Sequence, residues 1–292
     1  MRLCRFVPKS DPGRPPRWAE FEGTGADGRL LVIDGDPWSR RAGVTREIYL
    51  ATSIQLCAPV VPSKIVGVGL NYRKHAEEMK KPLPDEPLLF LKPPSAVLDP
   101  DADIVRPSGY SRVDFEGEVA LVIGKRARRV SREAALEYVL GVTALNDVTV
   151  RDLQKKDIQY TRAKGFDTFA PVGPCVTTLD QLADEGHDLG NLRVRTTLNG
   201  EPRQDSTTAD LIFDLPTLVS FISHVMTLEP GDVITTGTPS GVGPVQPGDV
   251  VAITVDGVGT LENPVVGEPA GRSSWPRASA SCPRTRSRAS MP

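Results

Sequence analysis

Apolar residues in this chain fall in short bursts between Gly, Pro and Asp, a rhythm of strands joined by turns rather than of long helices. KIVGVGL (Lys64 to Leu70), PLLFLKP (Pro87 to Pro93) and EGEVALVIGK (Glu116 to Lys125) are apolar runs of strand length. In the last third, VRTTLNGEPRQ carries Asn199-Gly200 inside a strand pattern, which is a strong hairpin signal. PGDV occurs at Pro230 and again at Pro247, followed each time by a β-type run, VITTGT and VVAITV. Two such units with glycine-rich linkers suggest a curled, barrel-like sheet.

Helical patterns are fewer. NYRKHAEEMKK is rich in helix formers and is stopped by the proline-rich PLPDEP (Pro82 to Pro87). SREAALEYVLGV reads as a helix with Ser131 as its N-cap, and VTVRDLQKKD as a helix that follows the strand end TALND. PTLVSFISHVM places Leu218, Phe221, Ile222 and Val225 on one helix face. No regular alternation of helix and strand supports a Rossmann fold or a TIM barrel. The fold class expected is therefore α+β and mainly β. Residues 1–60 read as a small turn-rich N-terminal domain with a hairpin or two, and 61–268 as the main body. Residues 269–292 lose all periodicity and are expected to be a disordered basic tail.

The chain has 292 residues, 39% hydrophobic and 25% charged, an ordinary balance for a globular protein. A net charge of −2 implies no bulk attraction to nucleic acid. The charge is uneven, because Gly271 to Pro292 holds five arginines and no acid while the rest is mildly acidic. Cys4, Cys57, Cys175 and Cys282 form no C-x-x-C pair and suggest no disulfide framework, as expected of reduced thiols. No apolar run approaches the ~18 residues that span a bilayer. The opening MRLCRFVPKSDPGR lacks a signal-peptide core, so a cytoplasmic location is expected.

Several residues could carry chemistry. Glu116 and Glu118 are spaced i, i+2 and share one face of an otherwise apolar strand. Two carboxylates so placed need either full exposure on an edge strand or a cation, and oxygen ligands suit Mg²⁺ or Mn²⁺. Asp147 ends an apolar run before a helix and could be an N-cap or a third ligand, with Arg151 and Gln154 on the same helix side. His75 and Glu78, at i, i+3, suit a histidine base oriented by a carboxylate, or an ordinary surface pair. Lys164 in TRAKGFDTF could reach an oxyanion or lie on the surface. The backbone of GTPSGVG (Gly237 to Gly243) could cradle a carboxylate or form a flexible hairpin. His187 falls in a surface loop and His224 beside an apolar helix face. Other motifs are excluded: GVGLNY lacks the third glycine of a dinucleotide fingerprint, DPDADI lacks the Gly and Glu of an EF-hand, and no G-x-S-x-G is present.

Taken in order, the segments GVGLNYRKHAEEM, FLKPPSA, DFEGEVALVIGK, NDVTVRDLQ, TRAKGFDTFAPVGP, LNGEPRQ, LEPGDVITTGTPSGVGP and GTLENPV resemble the fumarylacetoacetate hydrolase family, from about Ala58 to Val266. The resemblance implies a mixed β-roll fold, a homodimer, and a catalytic domain over 61–268. It implies a metal held by Glu116, Glu118 and Asp147 and an acid/base pair of His75 and Glu78. It further implies a site lysine at Lys164, a neighbouring site position at Thr168, substrate contacts at Arg151 and Gln154, and a substrate-carboxylate loop containing Thr238. The reaction so implied is cleavage of a C–C bond in an acylpyruvate such as fumarylpyruvate, through an enolate that the metal stabilises. Decarboxylation of oxaloacetate and isomerisation of a dienol share that intermediate, and the motifs do not separate them. A metal-stabilised binding protein without turnover is the rival of another class. Pro82 to Pro87 could hinge the His75 segment as a lid.

Overall fold

The strand-length runs do form strands. The structure, a computed structural model, describes residues 1–23, 25–35, 37–38 and 43–269. Most of the tail expected to be disordered lies outside the described residues, from 270 onward.

One large sheet runs in the order Gly43–Leu50, Arg29–Asp34, Arg17–Glu22, Arg2–Pro8, Ala170–Thr178, Val139–Asn146, Gly117–Ile123, Val233–Thr235, Ile65–Gly69 and Leu88–Lys92. Ile54–Cys57 and Val97–Leu98 pair off this path, making 12 strands. Pairing is antiparallel along most of the path but parallel where Val233 meets Ile65, so the sheet is mixed. The four N-terminal strands form a meander whose Leu3 pairs with Val176, so hydrogen bonding continues from the first strands into the body.

A five-stranded sheet follows the order Glu201–Thr207, Arg193–Leu198, Val250–Val255, Gly259–Gly267 and Ile104–Arg106. Its hairpin turns at Asn199-Gly200, both with positive φ (55° and 82°), as a two-residue turn matched to strand twist requires. A small third sheet joins Thr149–Val150, Val113–Phe115 and Gly243–Pro244. The fold is α+β and mainly β as expected, its mixed sheets not closed into a barrel among the described residues. The two PGDV repeats feed different sheets, Val233–Thr235 the large one and Val250–Val255 the five-stranded one, and both ends of the large sheet stay open.

The five-stranded sheet packs across the middle of the large one. Val119, Leu121, Val142 and Ala144 face Val194, Val251, Ile253 and Val255 in one core. On the other face, Ala120, Val122, Leu145, Val172 and Val176 pack with Leu3, Ala58, Val60 and Ile65. Central strands buried on both faces read as continuous apolar runs rather than as alternation. That explains one correction. SREAALEYVLGV forms only a 3₁₀ turn, Ala135–Tyr138, and then the strand Val139–Asn146, and Ser131 caps nothing. The helix Leu215–Val225 forms as expected, with Asp214 Oδ1 accepting from the Thr217 N–H at 2.9 Å. Its buried stripe is Leu215, Leu218, Val219 and Ile222, while Val225 is 61% exposed, so the inward face is rotated from the one expected.

Gly141 shows how tightly the central strands sit. A Cβ there would meet the Thr177 carbonyl oxygen at 2.1 Å, a clash of backbone with side chain that no rotamer relieves. Gly141→Ala is expected to destabilise the fold by about 1–3 kcal/mol, as overpacking does. A denaturant midpoint equal to that of the parent would show that the two strands separate freely.

Candidate active site

The chain crosses from the small sheet to the large one at Glu116, between Val113–Phe115 and Gly117–Ile123. The Glu116 N–H donates to Asn146 Oδ1 at 3.0 Å, and the Asp147 N–H donates to the Glu116 carbonyl at 2.9 Å. Gly117 pairs with Asn146 in the ladder. This register carries Asp147 to the end of the strand that bears the two glutamates. Each of Glu116, Glu118 and Asp147 offers a carboxylate oxygen lying within 4.8 Å of the others. Their exposures are 5%, 1% and 1%, which removes the surface-strand reading of the glutamates. The N-cap reading of Asp147 falls too, because the helix starts at Arg151 and Val150 precedes it without a side-chain cap.

Three cations neutralise this cluster. Lys164, on the short helix Thr161–Lys164, donates from Nζ to Glu116 Oε2 at 2.9 Å, Asp147 Oδ2 at 2.5 Å and Thr149 Oγ1 at 2.8 Å. Lys92 Nζ reaches Asp147 Oδ1 at 2.6 Å. Arg151 meets Glu116 Oε1 at 2.6 Å and donates to Gln154 Oε1 at 2.8 Å. Among the described residues Glu118 has no such cation in an ion pair; its Oε2 accepts from the Gly237 N–H at 2.9 Å.

The electrostatics follow from these contacts. Burial pushes the Glu116 carboxyl up, but Lys164 and Arg151 outweigh burial and hold it at about 2. Burial raises Glu118 well above the usual range, and Asp147 and Glu116 raise it further. Burial also pulls the Lys164 ammonium down, yet Asp147 and Glu116 overcome that and raise it. Three buried, converging, hard oxygen donors suit a hard divalent cation.

His75 stands on the helix Arg73–Glu78, its Nδ1 3.1 Å from Glu78 Oε2. The Gly241 N–H approaches both Glu78 carboxylate oxygens at 3.4 Å, so the glycine-rich loop touches this pair. His75 is buried and shares a small cavity of about 90 Å³ with the three carboxylates. Eight of the ten residues singled out in the sequence line it: His75, Glu116, Glu118, Asp147, Arg151, Gln154, Lys164 and Thr238. Thr238 Oγ1 donates to the Gly117 carbonyl at 3.0 Å and accepts from Gln204 Nε2 at 2.8 Å. Glu78 touches the cavity through His75. Thr168 is not among the lining residues. Its hydroxyl accepts from the Val105 N–H at 3.0 Å, and its positive φ of 71° places it in a sharp turn.

Sequence reasoning missed three neighbours. Lys92 ends an apolar strand on the same side as Phe90, a side that strand alternation turns inward. The Phe90 ring lies 4.9 Å from Lys164 Nζ. Asp114 extends the i, i+2 series of Glu116 and Glu118 by one step and is fully buried against Arg151.

Three buried carboxylates that could hold a metal ion thus lie beside a His–Glu pair. Residues 64–266 match the family described as Fumarylacetoacetate (FAA) hydrolase C-terminal, and the chain belongs to that family of enzymes. It is 41% identical to oxaloacetate tautomerase YisK of Bacillus subtilis over 231 residues, 75% of each protein. The crystal structure of a 5-carboxymethyl-2-hydroxymuconate delta-isomerase from Mycobacterium smegmatis is 41% identical with a TM-score of 0.83, covering 92% of this chain and 100% of that one. A maleylpyruvate hydrolase from Sphingobium sp. SYK-6, solved with manganese(II) and pyruvate, is 31% identical with a TM-score of 0.73, again over 92% and 100%.

Glu118 sets the pH response of the metal-free protein. Its carboxyl titrates higher folded than unfolded, so the folded state binds more protons and stability falls as pH rises past the ordinary glutamate range. With chelator present, Glu118→Gln is therefore expected to gain thermal midpoint over the parent, increasingly so as pH rises above the ordinary glutamate range. Mg²⁺ is expected to raise the parent's midpoint and leave the variant's unchanged. Thermal scans with and without chelator check both statements; parallel curves for the two proteins would contradict them.

Proposed function

We propose that this enzyme hydrolyses a C–C bond in a short acylpyruvate, such as fumarylpyruvate, with a divalent cation as cofactor. The observation that supports this best is the shared cavity: Glu116, Glu118 and Asp147 converge where His75, braced by Glu78, lies beside them. A Mg²⁺ or Mn²⁺ ion held by the three carboxylates would supply Lewis-acid polarisation of the 2-oxo group.

The chain's own residues do the rest. Glu78 engages His75 Nδ1, which leaves Nε2 as the nitrogen that takes a proton. In hydrolysis, Nε2 removes a proton from water as the water oxygen bonds to the distal acyl carbon. The C–C bond then breaks, the acyl part leaves as a carboxylic acid, and the pyruvate enolate takes a proton at its C3. One water is consumed, and His75 ends in its starting state. Arg151 and Gln154 line the cavity with groups suited to binding a substrate carboxylate, and Thr238 lines it as well.

A second reading has its own support. A cavity of about 90 Å³ is small, which favours a compact diacid such as oxaloacetate. Tautomerisation there moves a proton between C3 and the 2-oxo oxygen with His75 as carrier, while decarboxylation breaks the C3–C4 bond to release CO₂ before C3 takes a proton; neither needs an attacking water. Isomerisation of a longer dienol diacid, such as 2-hydroxyhepta-2,4-diene-1,7-dioate, uses the same proton transfer. The family resemblance supports a homodimer acting in the cytoplasm.

The test is pyruvate release from an acylpyruvate and from oxaloacetate, offered separately with Mg²⁺, with and without chelator. Chelator-sensitive pyruvate from the acylpyruvate alone is the expected result. Pyruvate mainly from oxaloacetate would replace hydrolysis by the second reading, and pyruvate from neither would contradict both cleavage reactions. His75→Ala is expected to lower kcat by about 10²–10⁴-fold, the usual worth of a general base, while Mg²⁺ still stabilises the protein.

A further inference from the structure

Asp114 is a fully buried charge for which the chemistry above has no use. It sits mid-strand in Val113–Phe115, paired with Thr149 on one side and Pro244 on the other. Arg151 follows the partner strand directly, and its N–H donates to the Arg112 carbonyl at 2.9 Å. Both backbones are thus fixed before the side chains meet. Arg151 Nε then donates to Asp114 Oδ2 at 2.8 Å, while Arg112 Nε donates to Asp114 Oδ1 at 2.7 Å.

The donors of Arg151 can be followed one by one. A guanidinium has five N–H groups in a rigid fork. One goes to Asp114, one to Gln154 Oε1 and one to Glu116 Oε1. Among the described residues two are left without a protein partner, one on each terminal nitrogen, on a side chain that lines the cavity. Without Asp114, the long side chain would keep only contacts made by its terminal nitrogens, the same atoms a ligand needs.

We propose that Asp114 is a positioning residue: it grips Arg151 by the Nε edge and so keeps the two spare N–H groups ready for the carboxylate of a bound 2-oxo acid. Arg112, half-exposed and outside the cavity, anchors the far oxygen of Asp114. The inference rests on the 2-oxo acid reading above. It predicts that the loss falls on binding and runs through Arg151, whereas a merely structural role would weaken cation binding as well.

The experiment is calorimetric titration of pyruvate into the Mg²⁺-loaded protein, with Mg²⁺ affinity measured separately. Asp114→Asn keeps the volume and is expected to weaken pyruvate by about tenfold, with Mg²⁺ affinity unchanged. With the substrate that the enzyme turns over, KM should rise by a similar factor while kcat stays within about threefold. The double variant Asp114→Asn/Arg151→Ala should bind pyruvate no more weakly than Arg151→Ala alone, because the two act as one unit. If Asp114→Asn does not fold, Arg112→Gln at the surface carries the test, with a loss of about threefold expected in pyruvate affinity alone. Additive losses, a parallel drop in Mg²⁺ affinity, or unchanged pyruvate binding would each overturn the proposal. A parent protein that binds Mg²⁺ but no pyruvate would instead sink the 2-oxo acid reading, and this inference with it.

Discussion

Three carboxylates buried within 4.8 Å of one another repel, and most of the surrounding architecture contains that repulsion. Removing a carboxylate from water costs several kcal/mol unless an opposite charge replaces the lost solvation. Glu116 and Asp147 are each served by two cations, Lys164 and Arg151 for the first, Lys164 and Lys92 for the second. Glu118 has no ion-pair partner among the described residues, and its raised carboxyl records the deficit. A divalent cation held there would make good that deficit. The sheet scaffold enforces the crowding: a ladder fixed by Gly117–Asn146 pairing, between layers packed on both faces, leaves the carboxylates no room to part.

Around this rigid base sit the parts that address a ligand. The backbone at Gly237 has φ of 95°, and a Cβ there would meet Asn71 Cβ at 2.9 Å, so only glycine lets its N–H reach Glu118. The same loop approaches Glu78 through the Gly241 N–H. The helix of six residues that bears His75 is anchored at its start by Tyr72, which bridges to Leu211. Two kinds of support therefore meet at the cavity, strands for the carboxylates and short turns and helices for the base.

Most strands were legible because β-branched and leucine-rich runs lie between turn residues, and Asn199-Gly200 marked its hairpin directly. Val139–Asn146 was legible only at its end, TALND, because a strand buried on both faces carries no alternation and its leading SREAALEY is rich in helix formers. Glu116 and Glu118 were visible as an i, i+2 pair, but spacing alone could not say that the strand is central and the pair buried. Asp147 joins them only through a ladder register, which local sequence does not encode. Lys92 and Asp114 escaped because a single lysine at a strand end, or a lone aspartate in a short strand, resembles a surface residue until the neighbouring strand is in place. Thr168 came from resemblance alone, and its hydroxyl serves a turn.

The most direct measurement is anomalous diffraction at the manganese edge from crystals grown with Mn²⁺. The predicted result is one strong peak bounded by oxygens of Glu116, Glu118 and Asp147, on the same side as His75. No peak there, with Lys164 and Lys92 still closing the carboxylates in ion pairs, would contradict the view that this cluster is built to hold a cation.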